Sequence, residues 1–185
     1  ADQATSFDLS NACAGMLTGV FLLNAMIRRG TIRRGMVVSG ERITGLGTNA
    51  ARTIRSILSP QLASLTLGDG AAAVIVMSDT KAKALGITPL ARIVASGVTG
   101  LNPEIMGLGP IEACRQALRR AGMTIDDIDL VEINEAFAAQ VIPSAKHLEI
   151  SWDKLNVKGG AIALGHPFGQ TGARIAPDLK NIAFA

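Results

Sequence analysis

Aromatic side chains are scarce in this sequence, and tyrosine is absent. The 185 residues include five phenylalanines and one tryptophan, 3% aromatic in all. A protein that stacks nucleic-acid bases on aromatic rings is therefore disfavoured, and no zinc-ligand spacing or helix-turn-helix pattern points to nucleic acid as a partner. The core has to be built from alanine, valine, isoleucine and leucine, which favours an α/β protein.

Cysteine is equally scarce. The two cysteines, Cys13 and Cys114, lie far apart in the sequence, a spacing that excludes a disulfide framework and favours a cytosolic chain. Histidine also occurs only twice, and none of these residues has the spacing of metal ligands. We therefore predict that the chain holds no metal.

Long apolar runs and strong charge are missing as well. The longest apolar stretch, residues 12–27, is interrupted by polar residues and glycines and is too short to cross a bilayer, and no signal peptide opens the sequence. We expect a cytoplasmic protein with no membrane partner. The formal net charge is only +3. A cluster of four arginines fits either a solvated helix end or a surface for an anionic partner; its members are Arg28, Arg29, Arg33 and Arg34.

Strand and helix patterns alternate along the chain. Short apolar runs predict strands at residues 5–9, 36–39, 71–77, 91–98 and 129–133. Three- and four-residue spacing predicts helices at residues 13–29, 52–58, 81–85, 110–120 and from Ala136 onward. This alternation predicts an α/β fold with partly parallel, mixed sheets. We divide it into two βα halves, residues 1–78 and 79–185, with the apolar helix at 13–29 as a buried layer.

Cys13 follows the first predicted strand at the start of a helix. The positive end of the helix dipole and the free N–H groups there favour thiolate, the nucleophilic form. Small neighbours, Ala12 and Gly15, leave room for a substrate. The alternative is that Cys13 is a small core residue, which is the interpretation we prefer for Cys114, in the middle of a helix.

His166 and Asn134 are the other candidate site residues. His166 precedes a proline in a segment, residues 159–172, that carries five glycines and is predicted to be a loop. A histidine there can accept a thiol proton or donate to an oxyanion. Asn134 follows a predicted strand, where open α/β sheets place ligand groups. A helix cap explains Asn134 equally well. His147 lies in a polar helix and is predicted to be solvated.

Several stretches around these residues are similar to known families. Residues 69–175 resemble the C-terminal part of thiolases, through Asp-Gly-Ala-Ala-Ala-Val from Asp69, Gly-Leu-Gly-Pro from Gly107, Asn-Glu-Ala-Phe-Ala from Asn134 and Gly-Gly-Ala-Ile-Ala-Leu-Gly-His-Pro-Phe-Gly-Gln-Thr-Gly from Gly159. Residues 6–76 resemble type III 3-oxoacyl-acyl-carrier-protein synthases, through Phe-Asp-Leu-Ser-Asn-Ala-Cys-Ala-Gly from Phe7 and Arg-Arg-Gly-Met-Val-Val-Ser-Gly-Glu from Arg33.

The resemblance implies an incomplete thiolase-like fold and acyl transfer through a cysteine. It assigns Cys13 as the acylated nucleophile, His166 as the group that activates the thiol, and Asn134 as the group that orients a water in the oxyanion site. It implies acyl-CoA or acyl-carrier-protein thioesters as substrates, no cofactor beyond the coenzyme A of the substrate, and a homodimer.

Four departures from the thiolase pattern weaken this expectation. Strands that precede the nucleophile in thiolases have no counterpart in the sequence, a covering loop domain is lacking between Cys13 and Asp69, and the Cys-x-Gly motif with the second acid/base cysteine is absent. Lys158 stands where thiolases are expected to have asparagine. A ketoacyl synthase-type condensing enzyme and a non-catalytic, truncated or chimeric module therefore remain as alternatives.

Cys13 should react with iodoacetamide faster than Cys114 near pH 7, because one lies at a helix start and the other in the middle of a helix. Peptide mapping after brief alkylation of the folded protein measures both rates. Equal rates, or faster labelling of Cys114, would contradict the assignment of Cys13 as the nucleophile.

Overall fold

The computed structural model describes residues 5–55 and 68–176. Its strands are β1 (Arg34–Glu41) and β2 (Gly70–Met77), and its helices are α1 (Gly15–Arg28), α2 (Thr44–Thr53), α3 (Asp79–Ala84), α4 (Gly109–Ala121), α5 (Ala138–His147) and α6 (Ala161–Leu164). Residues 171–176 are also helical. Short 3-10 turns lie at Ala12–Ala14, Pro103–Leu108, Trp152–Lys154 and Phe168–Gln170. None of the described helices is long and apolar enough to cross a membrane.

The sheet is one antiparallel pair, with Arg34 of β1 opposite Met77 of β2. Helix α1 packs closely against one of its faces. A Cβ atom added to Gly19 would lie 2.7 Å from Cγ1 of Val37, and one added to Gly35 would lie 2.6 Å from Cδ2 of Leu23. The two glycines therefore let helix and strand approach, and this packing fixes where the N-terminal end of α1 lies.

The opposite face of the sheet is open to solvent. Met36, Val38 and Ile75 are each more than 60% exposed, and burial alternates along both strands. The prediction that residues 71–77 form a strand is confirmed, but the prediction that this strand is buried is wrong. Helix α1 likewise buries one side, through Met16 and its neighbours, and is not enclosed on all sides.

Asp69 connects the start of β2 to the start of α2. Its Oδ1 atom accepts hydrogen bonds from the backbone N–H groups of Ile43 (2.6 Å) and Thr44 (2.8 Å), and its Oδ2 atom is 2.5 Å from Thr44 Oγ1. The bonds from Thr44 and then Ile43 lower the pKa of the Asp69 carboxyl. The carboxylate thus satisfies free N–H groups at the N-terminus of α2.

The second half of the chain has its own apolar core between α4, α5 and the segment after α5. Its buried members are Ile111, Ile133, Val141, Ala145, Leu148, Ile150 and Leu155. A single parallel bridge joins Val131 to Leu155. Helix α4 ends at Ala121, one residue beyond the predicted end. Gly122 follows it in the left-handed conformation, with φ 68°.

The mixed α/β class is confirmed, but three predicted strands are wrong. Residues 5–9 and 91–98 are irregular, and residues 129–133 form only the bridge at Val131. Apolar composition suggests a strand, but a strand also needs a neighbour for its backbone groups. Within the described residues the only ladder is β1–β2, and the parallel pairing expected of the sheet is limited to the bridge.

The outcome for the other segments is mixed. Helix α2 occupies residues 44–53 instead of 52–58, and residues 56–58 lie outside the described part of the chain. The segment at 159–172, predicted to be a loop, contains α6, a 3-10 turn and the start of the helix at 171. The glycines in this segment favour a loop in sequence analysis, and the helical pieces between them are too short to show a helical spacing of apolar residues.

Replacing Gly19 with alanine should destabilise the protein by about 1–3 kcal/mol, because the new methyl group collides with Val37. Gly45 in α2 is the matched control, since a Cβ atom there meets nothing within 4 Å. Gly45→Ala should be neutral or stabilise by about 0.4–1 kcal/mol. Urea unfolding of both variants measures this difference. Equal midpoints for the two variants would show that α1 is not packed as described.

Candidate active site

Cys13 lies in the 3-10 turn Ala12–Ala14, directly before α1. Ala12 has φ 39°, in the left-handed region, and Cys13 is exposed at the surface. Its Sγ atom is 3.0 Å from Nε2 of His166, although 153 positions separate the two residues. The turn therefore presents the thiol to the imidazole and to solvent at once.

His166 is held in a fixed orientation. The residue is only 3% exposed, and its Nδ1 atom is 2.7 Å from Oγ1 of the buried Thr171. The ring of Phe168 packs edge-on against the imidazole, with centroids 5.5 Å apart. Gly165 has φ 91°, and a Cβ atom added to Gly68 would lie 3.3 Å from the Gly165 Cα atom, so the two backbone segments pack closely. The backbone around the histidine thus has little room to move.

Asn134 meets the same imidazole nitrogen. Its Nδ2 atom is 3.4 Å from His166 Nε2. Its Oδ1 atom is buried and has no hydrogen-bond partner among the described residues. The structure therefore brings Cys13, His166 and Asn134 together around Nε2, and it leaves one amide oxygen free to accept a further hydrogen bond.

Asn156 holds the segment around Asn134, and sequence analysis did not single it out. Its side chain accepts from the N–H of Ile133 (2.9 Å) and donates to the Ile133 carbonyl (3.0 Å) and to Glu135 Oε1 (2.9 Å). Glu135 Oε2 accepts from the N–H of Ile162 at 3.0 Å. The helix-cap interpretation of Asn134 is wrong, because α5 begins only at Ala138.

Gly160 completes this arrangement. A Cβ atom at this position would lie 2.0 Å from Cδ of Glu135, so no other residue leaves space for the carboxylate. Neither Glu135 nor Asn156 has a sequence signal that predicts this pairing. The sequence offered only the glycine pair 159–160 after Asn156. This pair predicted a turn, but it did not predict that the turn contacts Glu135.

The surroundings favour the neutral forms of the Cys13 thiol and the His166 imidazole. Burial, and next the nearby Glu41 carboxylate, raise the pKa of Cys13, although a backbone hydrogen bond lowers it. Burial, and then the positive charge of Arg174, lower the pKa of His166. The expectation that the helix N-terminus favours thiolate is therefore wrong at rest. The helix begins two residues after Cys13, and the loss of solvation has a larger effect on the pKa than the backbone hydrogen bond that lowers it.

The remaining cysteine and histidine lie elsewhere. Cys114 packs against the apolar core of the second half, where burial raises its pKa, so its interpretation as a core residue is confirmed. His147 is exposed, as predicted. Among the described residues, no group of three or more histidine, cysteine, aspartate or glutamate side chains could hold a metal ion. A shallow depression of about 100 Å³ beside Val131 and Ile150 includes none of the three site residues.

Replacing Glu41 with glutamine should increase the alkylation rate of Cys13 at neutral pH. The negative charge of Glu41 raises the pKa of the thiol, so its removal lowers that pKa and increases the thiolate fraction at a given pH. Glutamine retains an oxygen for the N–H of Gly169, which now donates to Glu41 Oε1 at 3.3 Å.

Alkylation rates of both cysteines, measured against pH, test this effect. The Cys13 profile should move to lower pH in the variant. The Cys114 profile should stay in place, because burial alone raises that pKa. An unmoved Cys13 profile would mean that Glu41 does not act on the thiol.

Two family descriptions match the chain. Residues 7–91 match 3-oxoacyl-[acyl-carrier-protein (ACP)] synthase III, and residues 87–182 match the C-terminal domain of thiolase. A 3-ketoacyl-CoA thiolase of Vibrio cholerae is 51% identical over 138 residues, which make up 70% of this chain and 36% of that protein. The chain therefore spans about a third of the length of this relative.

Solved structures give the same relationship. Human mitochondrial 3-ketoacyl-CoA thiolase in complex with CoA has a TM-score of 0.61 at 48% identity, covering 63% of this chain and 30% of that chain. The peroxisomal 3-ketoacyl-CoA thiolase of Saccharomyces cerevisiae, a five-layered structure constructed from two core domains of identical topology, has a TM-score of 0.76 at 30% identity, covering 92% of this chain and 64% of that chain. The resemblance inferred from the motifs is confirmed, and the chain belongs to the thiolase family.

Proposed function

We propose that this chain carries the acylation site of a thiolase-type acyltransferase. The observation that supports it most directly is the 3.0 Å approach of Cys13 Sγ to His166 Nε2. A nucleophile within hydrogen-bond reach of a base is the arrangement that covalent acyl transfer requires. In this proposal Cys13 is the nucleophile, His166 the base, and Asn134 the residue that orients a water.

The first step transfers an acyl group to sulfur. Nε2 of His166 accepts the thiol proton while Sγ of Cys13 attacks the carbonyl carbon of a thioester. The tetrahedral intermediate collapses, the carbon–sulfur bond to the leaving thiol breaks, and the imidazolium returns its proton to that thiolate. Acyl-Cys13 and a free thiol are the products. The neutral resting pair suits this sequence, because the base must be unprotonated when the substrate arrives.

Asn134 supports the oxyanion indirectly. Its buried Oδ1 atom lacks a partner among the described residues and is an acceptor only. A water that donates one proton to Oδ1 has its other proton free for the carbonyl oxygen of the thioester. One such donor is typically worth about 10²–10³ in rate. The bonds from Asn156 that hold the preceding residue, Ile133, keep this acceptor in place.

Acyl-CoA and 3-oxoacyl-CoA thioesters are the proposed substrates. The names of the relatives from Vibrio cholerae and human mitochondria, and the CoA bound to the latter, support this choice. Coenzyme A enters as part of the substrate, and the proposed steps use no other cofactor. We further propose two halves, residues 1–78 and 79–185, a cytoplasmic location and a homodimer. The open face of the β1–β2 sheet is consistent with additional packing partners.

A carrier-protein thioester is the second candidate substrate. The match of residues 7–91 to 3-oxoacyl-[acyl-carrier-protein (ACP)] synthase III favours this substrate. This function would make the chain a ketoacyl synthase-type condensing enzyme. The third alternative is a module that folds without performing chemistry, and it predicts no acylation by either thioester.

Incubation with acetyl-CoA should add one acetyl group to Cys13, visible by intact mass and peptide mapping. Cys13→Ala should abolish the adduct, and Cys114→Ala should leave it unchanged. His166→Asn should slow acylation by about 10²–10⁴, the usual contribution of a positioned base. A parallel incubation with acetyl-carrier protein separates the two substrate classes. No adduct from either thioester would refute the proposed function and support the non-catalytic module.

A further inference from the structure

Two groups that can donate a hydrogen bond converge on Nε2 of His166. The Cys13 thiol lies at 3.0 Å and the Asn134 amide nitrogen at 3.4 Å. The thiol can donate or accept, but the Asn134 N–H₂ group can only donate, so its contact with Nε2 is favourable only when Nε2 carries its lone pair. The proton of the neutral ring then belongs on Nδ1, the nitrogen on the opposite side.

Thr171 is the partner of that opposite nitrogen. Its Oγ1 atom lies 2.7 Å from Nδ1, and its side chain is only 2% exposed. Burial matters because water does not readily replace a lost partner inside the protein. Thr171 also begins the helical segment 171–176 directly after the 3-10 turn Phe168–Gln170. The backbone that carries this hydroxyl is therefore part of regular structure.

We propose that Thr171 is a positioning residue that fixes the tautomer of His166. Its hydroxyl oxygen accepts the Nδ1–H bond and so keeps the Nε2 lone pair directed at the Cys13 thiol. In the opposite arrangement, Thr171 would donate to Nδ1, and Nε2–H would face the N–H₂ group of Asn134. The catalytic consequence of this role rests on the proposed function, but the tautomer itself does not.

Nitrogen-15 NMR of histidine-labelled protein tests the tautomer directly. The chain has two histidines, so two pairs of ring-nitrogen signals are expected, one pair for each imidazole. His147 is an internal reference, because its Nδ1 atom contacts the Pro143 carbonyl at 2.8 Å and is remote from Thr171 in sequence. We expect His166 to be protonated on Nδ1 in the unaltered protein. A proton on Nε2 would overturn the proposal without any variant.

Thr171→Val and Thr171→Ser form a matched pair. Valine keeps the shape and removes the hydroxyl, whereas serine keeps the hydroxyl. We expect valine to abolish the Nδ1–H preference and serine to retain it. Acetylation of Cys13 should slow about tenfold in the valine variant, the cost of one hydrogen bond, and remain within about twofold in the serine variant. An unchanged tautomer or an unchanged rate in the valine variant would overturn the proposal.

Two controls separate this proposal from the proposed function. Circular dichroism and the His147 signals report whether each variant folds. If the valine variant does not fold, the tautomer of His166 in the unaltered protein still tests the proposal. If acetyl-CoA leaves the unaltered protein unmodified, the proposed function fails. The NMR comparison then still decides the role of Thr171, with alkylation of Cys13 by iodoacetamide as the rate measurement.

Discussion

The contact between the Cys13 thiol and the His166 imidazole is the interaction on which the site depends. It joins a turn near residue 13 to a segment near residue 166. The approach requires a close fit around Gly169, where an added Cβ would lie 3.0 Å from Glu41 Oε1 and 3.1 Å from Ser39 Oγ. Glycine at this position lets the histidine segment lie against β1, and β1 in turn carries α1, which begins beside Cys13.

The burial that holds the site together also determines its charge. Removing the His166 ring from water lowers its pKa, and partial burial raises that of Cys13. A preformed thiolate–imidazolium pair would be more reactive toward alkylating agents, but it would have to be stabilised against the same loss of solvation. The structure favours a neutral pair in which proton transfer accompanies attack. Glu41 strengthens this preference through its negative charge.

The local features of the site could be predicted from sequence, but its supports could not. Cys13 near a helix start and His166 before a proline stand out because each combines a reactive group with a rigid backbone. Asn156 and Thr171 carry no such sign, since asparagine and threonine are common at turns and helix starts. Strands such as residues 91–98 were mispredicted because their apolar pattern does not specify a neighbouring strand to complete a ladder.

The sequence by itself determined the family motifs, the end of α4 near Gly122, and the identity of the reactive groups, because these depend on residue chemistry and on neighbours a few positions away. Only the tertiary structure decided the protonation of the pair, the role of Glu135 and the distances at which three side chains meet at one nitrogen. Each of these depends on burial and on contacts between distant segments. Desolvation acts through the surrounding atoms in space, and the order of residues along the chain does not state which atoms those are.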